Sequence, residues 1–318
     1  MNIRIEIHAR RLVTMQTNST LIKRINKHKA FFLIGLPGML LILLFNYLPM
    51  KGILIAFQDY SPYKGILKSQ WVGFDHFIRL FSDPRFYSML RNTLVISILS
   101  LSIFPLPIIL SLMLNEIRNA SFKKGIQTAI YLPHFLSWTV VVSLTYLLLS
   151  GEQGLINKIA VELGGTAHDY LFDEKWFYPL LIIQKTWKGI GWNTIVYLAA
   201  IVGVDTSLYE AAKIDGANKL QQIWYVTIPA IMPTVIVMFV LQMGTVLSVD
   251  FEHIYLMTNP MVKSLSEVFE VYIYQFGIKS GTQYGYTTAI GMFKSVINTI
   301  LVLFTNWLVH KRGYEKVI

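Results

Sequence analysis

The chain contains no cysteine in its 318 residues. Disulfides and thiolate-held metals are therefore excluded. Charge is scarce: Asp, Glu, Lys and Arg make up 14% of the sequence, against about 25% in ordinary soluble domains. No G-x-x-x-x-G-K-[ST] loop occurs, so the chain lacks the P-loop that cradles ATP phosphates. The seven histidines (His8, His28, His76, His134, His168, His253 and His310) are scattered, and none has a metal-ligand spacing such as H-E-x-x-H. Low-complexity tracts and a convincing internal repeat are also missing. One membrane domain is then the simplest description.

Apolar residues are abundant instead, at 54% of the chain with a mean hydropathy of +0.49. This composition marks a polytopic membrane protein. The net charge of +10 fits a bias of Lys and Arg toward the cytoplasmic side and contact with anionic membrane lipid. A nucleic-acid partner would require a basic face on a compact soluble module, and the charges are not gathered in that way.

Six segments are long and apolar enough to span, at about 30–55, 91–114, 127–149, 178–203, 230–249 and 288–309. Each is expected to be helical, because a backbone in lipid must satisfy its own hydrogen bonds. The expected fold is an all-α polytopic membrane protein of six transmembrane helices. The spans define one transmembrane domain over 30–309, between a cytoplasmic segment 1–29 and a cytoplasmic tail 310–318. The first segment is basic (Arg4, Arg10, Arg11, Lys23, Arg24, Lys27 and Lys29), and no small-x-small cleavage site follows the first apolar run. It therefore reads as a retained span with its N-terminus inside. Arg118, Lys123 and Lys124 after the second span, and His310, Lys311, Arg312 and Lys316 in the tail, agree with that orientation. Glu152, Glu162, Asp169, Asp173 and Glu174 lie between the third and fourth spans, on the outside. A segment at 58–88, rich in turn formers and aromatics, is expected to be an ordered outer cap. Pro37, Pro49, Pro105, Pro107, Pro133 and Pro233 fall within spans and are expected to kink them.

Between the fourth and fifth spans lies a mostly polar loop, 205–229, which span parity places in the cytoplasm. Ser207-Leu208-Tyr209-Glu210 has the pattern of a capping box, with Ser207 as cap. A helix from there puts Leu208, Ala211, Ala212 and Asp215 on one face, small in its centre. Gly216 suits a helix end. A second helix is expected from about Ala217, with Leu220, Ile223, Trp224, Thr227 and Ile228 on one face and Pro229 at its junction with the fifth span. By periodicity alone, this pair is either a docking surface or an amphipathic element lying on its own membrane domain.

Glu210-Ala211-Ala212, then Gly216 after three residues, then Val226-Thr227-Ile228-Pro229 after nine more, resembles the EAA motif of binding-protein-dependent ABC importer permeases. Val226 and Ile228 depart mildly from the family's Ile-x-Leu-Pro ending. Phe45-Asn46-Tyr47-Leu48-Pro49-Met50, Ser69-Gln70-Trp71-Val72-Gly73-Phe74 and Arg91-Asn92-Thr93-Leu94 are similar to the LplB-like, MalF-type carbohydrate branch. That branch includes relatives of the alginate importer's first membrane subunit. The resemblance implies a type I permease with a two-helix coupling loop, in which Leu208, Glu210, Ala211, Ala212, Asp215 and Gly216 dock on an ATPase. It also implies a second homologous permease, two cytoplasmic ABC ATPases carrying ATP and magnesium, an extracytoplasmic solute-binding protein and a saccharide cargo, with uronate-containing glycans such as alginate as an extension. The implied place is a bacterial inner membrane.

A sugar path needs aromatic platforms and hydrogen-bonding groups. Trp187, Trp192, Asn193 and Tyr197 at the fourth span are the densest such mixture, although tryptophans also form interfacial belts. Intramembrane Gln242, Lys294 and Asn298 are further path candidates. Lys294 suits a carboxylated sugar, or an acid on a neighbouring helix. Asp250, Glu252 and His253 form the tightest polar group and read as folding or partner contacts. No catalytic constellation stands out. Two other functions are weighed: an ion-coupled secondary transporter, which would want midplane acids and inverted repeats, and a membrane-embedded glycan enzyme, which would want clustered acids or histidines.

Overall fold

The computed structural model describes residues 28–315 and Val317. The expected basic positions from Arg4 to Lys27, with His8 and Lys316, lie outside the described residues. Contacts divide the chain into a unit ending at Ile55 and a unit from Ala56 onward. The first unit carries helix α1 (Lys29–Ile42), which continues through a π turn, Leu43–Tyr47, into 3₁₀ turns, Leu48–Phe57.

The second unit opens with the outer cap. Two short strands, β1 (Gln58–Asp59) and β2 (Gln70–Trp71), pair antiparallel, with Gln58 opposite Trp71. Between and after them lie α2 (Gly65–Lys68) and α3 (Asp75–Ser82). Phe57 stacks on Trp71 at 5.6 Å and meets Phe74 edge-on at 5.5 Å. The expected ordered cap is thus an aromatic knot closed by one ladder.

The second span is α4 (Pro84–Ser102) followed by α5 (Pro105–Glu116). Asp83 caps α4 by accepting from the Arg85 amide at 2.9 Å, and Pro84 occupies the first helical turn, where no donor is lost. Pro105 and Pro107 lack amide donors, so the chain passes from α4 to α5 through tight turns at Ile103 and Phe104. The third span is broken rather than continuous over 127–149. It comprises α6 (Ala120–Tyr131), a 3₁₀ turn at Leu132–Phe135, and α7 (Trp138–Leu149), with a bend of 103°. Pro133 removes a donor in the turn. Ser137 then caps a new helix by accepting from the Val140 amide at 3.3 Å.

After α8 (Leu155–Glu162), Asp173 caps the long α9 (Glu174–Val202) through the Lys175 amide at 2.9 Å. The cytoplasmic loop holds α10 (Thr206–Ile214), at 67° to α9. Next comes α11 (Lys219–Gln222), which runs through a π turn, Ile223–Thr227, into α12 (Ile228–Met243). The fifth helical span therefore starts near Lys219 and ends at Met243, both earlier than the apolar run 230–249. A non-helical strap follows, then α13 (Phe251–Met257), α14 (Lys263–Ser266), α15 (Phe269–Tyr272), a π turn at Ile273–Lys279 and the last span, α16 (Tyr284–Lys311). Four stretches among the described residues are long and apolar enough to cross singly, and the two bent pairs raise the number to six.

Two apolar clusters hold the second unit together. One joins Ile96, Val142, Leu171, Phe177 and Leu181 to Ile254 and Val271. The other packs Leu80, Phe86 and Met89 against Phe269, Tyr272, Tyr286 and Ile290, tying the cap to α4 and α16.

Candidate functional site

The middle of α9 approaches the broken third span unusually closely. A Cβ on Gly191 would overlap the Ile130 carbonyl oxygen and stand 2.6 Å from its carbonyl carbon. Only glycine fits there. The contact brings the joint at residues 132–137 against one face of α9, and a cavity of about 350 Å³ opens beside it.

Lys185, Lys188, Asn193 and Tyr197 enter the wall of this cavity from α9. At about 100° per residue they spread over half of the helix circumference, with Lys188 and Tyr197 at its two edges. The joint contributes His134 and the start of α7 contributes Trp138, while Gln242 comes from α12 and Asp250 directly follows the strap. Lys188 Nζ donates to the His134 carbonyl at 2.7 Å and lies 5.4 Å over the Trp138 ring. That carbonyl is available because the helix is broken there. Lys185 Nζ donates to Ser100 Oγ at 3.0 Å. Behind the wall, the buried His253 stacks on Trp138 at 3.8 Å, nearly parallel. Gln184 Nε2 donates to Thr145 Oγ1 at 2.6 Å, so Gln184 Oε1 is the acceptor toward His253 Nε2–H, also at 2.6 Å.

This arrangement offers an aromatic wall, two ammonium groups and one carboxylate, with amide donors and acceptors from Asn193 and Gln242. Each ammonium has three donors and shows one protein acceptor here, which leaves donors for a cargo. Nothing in it forms a nucleophile–base pair, and no cluster of three metal-ligating side chains occurs among the described residues.

The residues singled out from sequence separate into two groups. Asn193, Tyr197 and Gln242 line the cavity. Trp187, Trp192, Lys294 and Asn298 do not. Trp187 is two residues on from Lys185, which turns it to the far side of α9, where it is 45% exposed. Trp192 stacks on His134 at 4.4 Å and so buttresses the joint. Lys294 is paired with Glu270, the acid-on-a-neighbour alternative. Asn298 is spent on the strap, accepting from the Leu247 amide at 3.0 Å. Sequence reasoning passed over Lys185 and Lys188, whose spacings of eight and five residues from Asn193 form no single helical stripe. Asp250, read from sequence as a folding or partner contact, lines the cavity instead, and Trp138 was hidden, because only folding brings the strap and the broken span to α9.

The cytoplasmic loop differs from the expected pair of surface helices. Ser207 does not cap: Asp205 does, accepting from the Ser207 amide at 2.9 Å. An anionic cap two residues earlier suits the helix dipole, and this amide bond holds the Asp205 carboxyl below the usual carboxylate range. A reciprocal capping box occurs instead at Asn218 and Gln221, with bonds of 2.9 and 2.8 Å. Gly216 ends α10 with φ +79°. The Ala217 amide reaches the Ala212 carbonyl at 2.8 Å and the Gly216 amide that of Lys213 at 3.0 Å, which is a Schellman end. The second helical piece is the root of the fifth span rather than a free surface helix.

Leu208, Glu210, Ala211, Asp215 and Gly216 are exposed, while Ala212 is half-buried on the inner side of α10. Ile214, overlooked in the motif, is 86% exposed. Two bonds tie the loop to the spans: Tyr209 Oη to Thr227 Oγ1 at 2.9 Å, and Lys219 to Glu116, at the end of α5, at 3.0 Å.

Residues 103–314 match the family described as binding-protein-dependent transport system inner membrane component. The chain is 50% identical over 298 residues to the polygalacturonan/rhamnogalacturonan transport system permease protein YteP of Bacillus subtilis (strain 168), covering 93% of this chain and 92% of that protein. It is 47% identical over 292 residues to Protein LplB of the same organism, covering 92% of each. Among solved structures it is similar to a bacterial ABC transporter involved in the import of the acidic polysaccharide alginate. The TM-score is 0.84 at 37% identity, over 92% of this chain and 99% of that one. The bacterial alginate transporter in complex with an alginate pentasaccharide-bound periplasmic protein matches at the same TM-score and identity, over 92% and 98%.

Proposed function

Since the chain belongs to the family of binding-protein-dependent transport system inner membrane components, it is a permease subunit and not an enzyme, and we propose that it imports an acidic oligosaccharide by alternating access. Its place is the bacterial inner membrane. It works with a second permease, a solute-binding protein outside and ATPase subunits inside. ATP and magnesium act on those ATPases. Leu208, Glu210, Ala211, Asp215 and Gly216 of α10 dock there, with Ala212 behind them. The Tyr209–Thr227 bond carries the ATPase's movement directly into the fifth span. Two discrete packings of the spans, biased by ATP, open the cavity alternately outward and inward.

The observation that carries the acidic cargo is the pair Lys185 and Lys188 beside Trp138 in one cavity. Sugar faces are apolar and suit an aromatic wall, while carboxylates on uronate rings take charge-assisted hydrogen bonds from ammonium groups. Two ammonium groups against Asp250 favour an anion. The names of the relatives, which concern polygalacturonan and alginate, support the same class. The complex with its partner permease, ATPases and binding protein, reconstituted in nanodiscs, provides the test. Oligogalacturonate or oligoalginate should stimulate ATP hydrolysis more strongly than a neutral maltooligosaccharide of equal length. Equal stimulation by the neutral sugar, or none by either uronate, overturns the assignment.

A further inference from the structure

Lys294 and Asn298 stand one turn apart on α16, and neither reaches the cavity. Both instead serve the strap that joins α12 to α13, residues 244–249. Asn298 Oδ1 accepts from the Leu247 amide at 3.0 Å, and its Nδ2 donates to Ser248 Oγ at 3.3 Å. Glu270, on α15, accepts from the Val249 amide at 3.3 Å through Oε1, the same oxygen that takes the Lys294 ammonium. From the other side, Ser97 Oγ donates to the Val246 carbonyl. The strap is not helical, and Leu247 and Val249 are buried. Their amides have no ladder to join, and a buried amide without an acceptor is costly. Side chains from three different elements supply every one of these bonds.

The strap's position matters because Gln242 and Asp250 flank it, and both line the cavity. The ion pair behind the strap is nearly buried, its side chains being 11% and 13% exposed. Such pairs rarely outperform well-packed apolar residues for stability alone. A pair that stabilises little but supplies an acceptor at one defined point acts by fixing geometry.

We propose that Glu270, Lys294 and Asn298 are positioning residues, which clamp residues 244–249 so that Gln242 and Asp250 face the cavity. The clamp joins the fifth span to the sixth at the point where the fifth stops being helical. It therefore sets where the polar wall stands when α12 is moved from its cytoplasmic root. This inference takes the cavity as the cargo path, but its test involves no sugar.

The natural absence of cysteine permits a single reporter, Asp250→Cys, in the assembled complex. The rate of its modification by a membrane-impermeant maleimide, followed on this chain by mass, reports the strap's place. A second reporter, Leu163→Cys at an 83% exposed site, controls for general loosening. Glu270→Gln with Lys294→Gln keeps an acceptor for the Val249 amide and should leave the rate at position 250 within about twofold of the parent. Glu270→Leu with Lys294→Leu removes the acceptor and should change that rate about tenfold, the scale of one lost buried hydrogen bond, with no change at position 163. Asn298→Leu should do the same. Parent-like rates at position 250 in either leucine background, or equal changes at both reporters, overturn the clamp. Should the double leucine variant not assemble, Asn298→Leu decides alone. A sugar-specificity result that contradicts the acidic cargo leaves this labelling outcome untouched.

Discussion

Gly191 concentrates the demands of the fold on one hydrogen atom. A methyl group there would meet the backbone of Ile130, with its carbonyl carbon at 2.6 Å. Carbon contacts settle at about 3.5 Å, so the carbonyl carbon alone must retreat from α9 by about 0.9 Å, and the oxygen in front of it by more. The obstructing atoms are main chain, and no flexible side chain can swing away. Overpacking of this kind costs about 1–3 kcal/mol, and the rigidity of a backbone obstacle places Gly191→Ala at the upper end. The displacement also pulls on the Lys188 bond to His134, 2.7 Å long, and on the Trp192–His134 stack. Gly189, two residues earlier on the same helix, is the control, since its added Cβ would meet only Asn193 Nδ2 at 3.8 Å. Thermal inactivation of the purified complex, read by size exclusion after heating, should fall well below the parent for Gly191→Ala and stay close to it for Gly189→Ala. Uptake should be lost in the first variant even at temperatures where the complex stays assembled. Equal stability and uptake in the two variants would refute the claim that this contact builds the cavity.

Lys188→Met and Lys185→Met should each raise the half-saturating concentration of a uronate oligosaccharide in ATPase stimulation by about 10–100-fold, the worth of a charged hydrogen bond, while changing the response to a neutral sugar little. Asp250→Asn should lower it, because the cavity then carries no carboxylate to oppose the cargo. Ala211→Arg places a bulky charge on the exposed face of α10; pull-down of the ATPase should fail while membrane insertion persists. Ala212 is a poorer probe of docking, since it is half-buried and a charge there would also disturb the loop's own packing. Gly216→Ala puts a Cβ at φ +79°, which costs about 1–2 kcal/mol; ATP hydrolysis should become less dependent on cargo, measured as the ratio of stimulated to basal rate.

Much of the architecture was legible because lipid imposes a one-dimensional rule. Apolar length reports spans, and basic loops report orientation. Some prolines were equally readable, since Pro105 and Pro133 stand where the helix breaks, whereas Pro37 and Pro233 lie inside helices that run on through them. Capping was less so: Asp205 and Ser207 are both good caps, and the choice between them depends on how α9 ends. The density of aromatic and polar side chains singled out Asn193 and Tyr197, which line the cavity, but it also drew in Trp187 and Trp192, which serve the outer face of α9 and the joint.

Lys294 shows the boundary between the two kinds of information. An intramembrane lysine announces from sequence that it must find an anion or a wet cavity, but the rule does not say which. The Glu270 carboxylate lies 24 residues away in the chain, and only the return of α15 against α16 makes them neighbours. The cavity was undetermined for the same reason, as its wall is assembled from α9, a broken span and a strap that folding alone brings together. By itself the sequence determined the membrane class and the six apolar segments, because both depend on neighbours along the chain, while the motif at Glu210–Gly216 pointed to an ABC-driven permease through its resemblance to that family. Tertiary structure decided which polar groups meet the cargo and which hold the wall in place, because that depends on distances between residues the chain keeps far apart.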